Sequence, residues 1–178
     1  MTARAAARRS GSGSKRAERV RSGSAVSRAR KRAGGPSRRS AATENPLLKA
    51  AGRFHGHIGP FLAIGLRMGL LANEVLGRSP FDTFAEITTR PEPPKSCLVD
   101  GVQYSTGCTM GKGNITLRAH PRLVRARFTQ GERVVEVSLK AAFLRRMDRA
   151  LQGAPEKAVV DYAFLIMDTR EGDLFEVA

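Results

Sequence analysis

Between residues 60 and 76 the chain runs "PFLAIGLRMGLLANEVL", apolar almost all round a helical projection, with Pro60 suited to a first turn and Gly77 to a stop. A helix with so little polar face belongs in a core. Gly65 and Gly69 lie on one side of it and leave room for another backbone to come close. Upstream, Leu47, Leu48 and Ala51 predict a short helix leading into the histidines and broken at Gly56. "FDTFAEITT" (81–89) predicts a strand. After a Pro-rich loop, Ser96 is placed to cap a helix from Cys97 to about Thr106, ended by Gly107. "ITLRA" follows a glycine-punctuated loop, and "RLVRARFT" and "RVVEVSLK" alternate in polarity around Gln130–Gly131–Glu132 as a hairpin. "AAFLRRMDRALQG" is an amphipathic helix ending at Gly153. Pro155 starts another that reaches about Met167, and "DLFEV" closes as a short strand. The pattern predicts an α+β fold for residues 43–178, a mostly antiparallel sheet packed on helices.

Charge changes the picture at one end only. The chain of 178 residues has a formal net charge of +15. Residues 1–40 hold thirteen Lys or Arg and one acid, Glu18, leaving eighteen bases against fifteen acids in the rest. The basicity therefore belongs to a tail over residues 1–42, rich in Arg, Ser, Ala and Gly. With almost no large apolar side chains, this segment is expected to be disordered. Its composition fits non-specific docking on RNA, DNA or anionic lipid, an organellar transit peptide, or an extension with no selected role. No apolar run reaches the ~20 residues of a membrane span, and a soluble, cytoplasmic protein is expected.

The candidate chemistry centres on "RFHGHIGP". His55 and His57 would diverge on a helix and converge on extended or turned backbone, which Gly56 permits. Their place just ahead of a helix favours neutral imidazole, the form that binds metal. Two cysteines, Cys97 and Cys108, complete a soft N/S set suited to zinc or another late transition metal. Cys97 falls in a first helical turn, where the dipole is expected to lower the thiol pKa. The alternative is that each cysteine is a small buried apolar side chain and each histidine a hydrogen-bonded structural one. Asp100 shares a helix face with Cys97 and Tyr104. It is a candidate to orient a histidine or accept a proton, against the plainer role of a surface carboxylate. "GCTMGKG" lacks the spacing and the hydroxyl residue of a nucleotide-hydrolase loop, although its backbone and Lys112 could hold an anion near the metal. His120 has no partner in view and is expected to be structural.

"FHGHIGPFLAIGLRMG" and "CLVDGVQYSTGCTMGKGNI", in that order, resemble the molybdenum formylmethanofuran dehydrogenase operon protein family, also called the formylmethanofuran dehydrogenase E-subunit family. The resemblance runs from about Asn45 to Val177. It implies an α+β domain whose His-Gly-His segment and cysteine-bearing helix meet at a metal pocket, a homodimer, and a link to one-carbon metabolism or a molybdenum-enzyme partner. The matching positions are His55, His57, Cys97, Asp100, Gln103, Gly107, Cys108, Gly111, Lys112 and Gly113. In many members a cysteine stands where this chain has Gly59, and a glycine where it has Phe61, so one thiol of that pattern is missing. Two cysteines cannot hold a four-thiolate iron–sulfur cluster, which excludes the dehydrogenase catalyst itself.

Two functions follow from the sequence. The first is a metal-binding domain, with His55, His57, Cys97 and Cys108 as ligands and Asp100 and Lys112 as catalytic candidates. It would serve as an accessory protein or as a metal-dependent enzyme of one-carbon metabolism. The second is a binding module whose basic tail docks on nucleic acid or an acidic partner.

Overall fold

A computed structural model of the protein describes residues 44–178; the basic tail lies outside the described residues. Helix α1 (Pro46–His55) is capped by Asn45, whose side-chain oxygen accepts from the Leu48 amide at 2.9 Å. It ends at Gly56, left-handed at φ 98°. Helix α2 (Pro60–Leu76) begins at Pro60 as its sequence predicts and buries Leu62, Ala63, Ile64, Leu66 and Met68 completely. Then come β1 (Thr83–Thr89), a 3-10 turn (Lys95–Cys97), α3 (Leu98–Thr106), β2 (Ile115–Ala119), β3 (Arg125–Gln130) and β4 (Arg133–Leu139). Helices α4 (Ala141–Leu151), α5 (Glu156–Asp168) and α6 (Glu171–Leu174) lead to β5 (Phe175–Val177).

The five strands form one sheet in the order β2-β1-β3-β4-β5. Every pairing is antiparallel except β1 with β2, which are parallel because α3 carries the chain across between them. This is the α+β architecture expected. Ala85, Ile87, Ala126, Phe128, Val135 and Val137 alternate onto the buried face of the sheet. The other face carries charges in register: Glu86 lies opposite Arg127, and Arg127 opposite Glu136. Ion pairs Arg118–Glu86 (2.6 Å) and Arg125–Glu136 (3.2 Å) join neighbouring strands there. Among the described residues, no single helix is long and apolar enough to cross a membrane.

Two local readings need correcting. Ser96 does not cap α3; it sits inside the 3-10 turn, and Cys97 takes the cap position without a side-chain hydrogen bond. In "DLFEV", Asp173 and Leu174 belong to the short helix α6, so the strand starts at Phe175.

Helix α2 is the hub, packing mainly on α3 and α5. Its one charged core-side residue, Arg67, turns its Nη1 to the carbonyls of Ile166 (2.9 Å), Met167 (2.7 Å) and Thr169 (2.9 Å). Ile166 also accepts the Thr169 amide at 3.3 Å, and the guanidinium adds a donor to all three of these helix-end oxygens, closing α5 and tying it to α2. Against α3 the approach is backbone to backbone. A Cβ at Gly101 would lie 2.5 Å from the Leu66 amide nitrogen and closer still to the Leu62 carbonyl oxygen, and one at Gly65 would collide with the Leu98 carbonyl. Neither obstacle is a side chain that can swing away. Gly101→Ala should therefore lower unfolding stability by on the order of 3 kcal/mol, the upper end of overpacking costs, as read by denaturant titration.

Candidate metal centre

His55 is the last helical residue of α1, and the left-handed Gly56, its amide bonded to the Gly52 carbonyl at 2.8 Å, turns the chain sharply after it. The turn brings the His57 ring back onto His55, with centroids 4.5 Å apart. The convergence that a helix would have prevented is thus achieved by one left-handed residue, which glycine adopts without steric cost. Across from them, the first turn of α3 presents Cys97, half-buried, with its amide on the Pro94 carbonyl at 3.3 Å. One donor atom from each of His55, His57 and Cys97 lies within 4.8 Å of the other two.

Asp100, one turn further along α3, fixes the chemistry of His55. Its Oδ2 lies 2.6 Å from His55 Nδ1. An ionised carboxylate only accepts, so Nδ1 carries the proton and, in the neutral ring, Nε2 keeps its lone pair. That Nε2 is buried and has no hydrogen-bond partner among the described residues. An orphaned, buried acceptor is costly unless something positive meets it. Here two further soft donors surround the same point, and a carboxylate-held histidine is the usual support of a metal ligand. The residues fit a metal ion. Asp100 is itself held: Gln103 Nε2 donates to its Oδ1 at 2.9 Å, and Gln103 Oε1 accepts from the Met110 amide at 3.1 Å. Gln103 is among the positions of the family resemblance, and the signal for its part is its i, i+3 spacing from the aspartate.

The Cys97 thiol is pushed up from its ordinary pKa, first by burial and then by the negative charge of Asp100, with its own backbone amide opposing. The dipole at the start of α3 does not lower it as expected; desolvation outweighs the dipole in a half-buried site.

The other candidates fall elsewhere. Cys108 is fully buried, its thiol donating to the Thr83 carbonyl at 3.3 Å, and it does not join the three gathered donors. It follows the nine residues of α3, about 13 Å of helix from Cys97. Lys112 also sits at that far end, where its ammonium donates to the Gly107 carbonyl and to Thr109 Oγ1 (3.1 Å). It closes the loop after α3 and is not placed to hold an anion beside the histidines. Tyr104 packs its ring on Phe54, centroids 5.8 Å apart. His120 Nδ1 accepts from the amides of Arg122 (3.1 Å) and Leu123 (3.0 Å), the structural role expected of it.

The family model described as "FmdE, Molybdenum formylmethanofuran dehydrogenase operon" matches residues 54–175, which takes in the histidine turn, α3 and strands β1 to β4. The chain belongs to the FmdE family. Another similar protein is "Probable S-adenosyl-L-methionine-binding protein" of Archaeoglobus fulgidus, 42% identical over 71 residues, which cover 39% of this chain and 19% of that protein. The chain thus spans about a fifth of that relative's length.

Two outcomes are expected of metal titration in this FmdE-family domain. Asp100→Ala, which frees the His55 ring, should weaken metal affinity roughly 10- to 100-fold by competition with a chromophoric chelator. Because the raised Cys97 thiol must lose its proton on ligation, affinity in the unsubstituted protein should rise with pH by up to about tenfold per unit while the thiol is protonated. Cys97→Ser should flatten that slope.

Proposed function

We propose that this FmdE-family domain binds one divalent ion, zinc, through His55 Nε2, His57 and Cys97. On this reading it acts as a homodimer in one-carbon metabolism, either as a metal-dependent enzyme or as an accessory protein to one. The observation that carries the metal is the buried, partnerless Nε2 of His55 beside a fixed Nδ1–H. Two imidazoles and one thiol make a donor set that zinc accepts readily, and three protein ligands, unlike the four of a closed structural site, leave a position for exchange. When bound, the ion supplies Lewis acidity toward a substrate oxygen.

The chain's own residues prepare that chemistry. Asp100 holds the tautomer of His55, and with one oxygen on the ring and the other on Gln103 it serves as a positioning group. Cys97 gives up its proton when it ligates. His57 is exposed, so the open side of the centre faces solvent. Dimerisation and the one-carbon setting rest on the family resemblance. Iron–sulfur electron transfer is not part of this reading, since the two thiols stand at opposite ends of α3.

Elemental analysis of purified protein tests the proposal. About one ion per chain is expected, with near-zero content in His57→Ala and Cys97→Ser. Equal, near-zero content in all three proteins would end it.

A further inference from the structure

A cleft of about 520 Å³ lies against the same segments that supply the ligands. Its walls are Pro60 and Phe61 at the start of α2, Pro94 ahead of α3, Met147 and Leu151 of α4, and Val159 of α5. Two of these walls adjoin the metal centre. Pro60 follows Gly59, whose vacant Cβ direction points to within 3.5 Å of His57 Nε2. The Pro94 carbonyl holds the Cys97 amide at 3.3 Å. The cleft wall and the donor cluster are therefore joined by two short backbone segments, 57–60 and 94–97.

The size is that of a small-molecule site. The wall is apolar, and its polar side chains are Asp148, Arg149 and Gln152, all exposed. Asp148 and Arg149 offset one another in charge, so the lining offers no net cationic cradle for a phosphate-bearing ligand. An apolar body, by contrast, would displace water from exposed Pro94 and half-buried Leu151 and Val159, which is favourable in proportion to the area covered.

Resting on the metal reading above, we infer that the cleft holds the hydrocarbon part of that site's substrate: a small molecule with an acyl chain of several carbons, its oxygen-bearing end directed at the His55–His57–Cys97 centre. The cleft acts as a length gauge, and Val159 and Leu151 form the wall that the chain lies on.

A pair of hydroxamates, which chelate divalent metals through the same head group, separates the two claims. Full-length protein loaded with cobalt(II) is titrated with acetohydroxamate and with octanohydroxamate, following the visible absorption of the metal. Both should perturb the spectrum, the longer one binding more tightly by on the order of 1000-fold, since each of its six additional methylenes contributes roughly threefold to fourfold when buried. Val159→Arg should bring octanohydroxamate down to the affinity of acetohydroxamate without changing the latter. Leu151→Ala, a smaller change that serves even if Val159→Arg does not fold, should remove roughly a tenfold share of the gain. Equal affinities in the unsubstituted protein, or a full gain retained in the variants, would overturn the cleft while leaving the metal centre standing. Failure to take up cobalt would bring down both.

Discussion

The site depends on how closely α2 and α3 approach. Gly65 faces the Leu98 carbonyl and Gly101 faces the Leu62–Leu66 turn, with no room for a methyl group on either helix. Leu98 is the neighbour of Cys97, and Gly101 the neighbour of Asp100. The same contact that seats the first turn of α3 therefore sets how far the thiol and the carboxylate stand from the histidines ahead of α2. Side chains packed between the helices would leave slack of about an ångström or more through rotamer choice; backbone on backbone does not.

Around that contact the donors come from rigid element ends. His55 is the final residue of one helix, Cys97 the cap of another, and His57 is delivered by a single left-handed glycine. The His55–Asp100–Gln103–Met110 series then carries orientation from the ring to the loop beyond α3. The cleft wall is tied in as well, because Arg67 fastens the end of α5 to the middle of α2. Positioning and pocket thus share one frame, as a site of defined geometry requires.

Much of this is legible in the residue types alone, wherever a residue has few physical options. Pro60, Gly77, Gly107 and Gly131 bound their elements because proline fits a helix start and glycine a left-handed stop or turn. The His-Gly-His turn and the histidine-orienting part of Asp100 were legible for the same reason. What failed were choices between chemically equal residues. Cys97 and Cys108 look alike in sequence, and only the straight run of α3 parts them, leaving Cys108 to bond the Thr83 carbonyl. Lys112 has a long stem, and the unpaired carbonyl of Gly107 claimed it. The thiol of Cys97 illustrates competing effects: dipole and desolvation oppose each other, and sequence shows the first and hides the second.

The raised pKa of that thiol bears on its reactivity whenever no ion is bound. Thiols are oxidised and alkylated as thiolates, so a sulfur kept neutral by burial and a nearby carboxylate is a sluggish target for peroxide and electrophiles. A chain with no ion at this centre is thereby less prone to lose the sulfur to sulfenic acid. The protection comes from the surroundings that also make ligation proton-coupled.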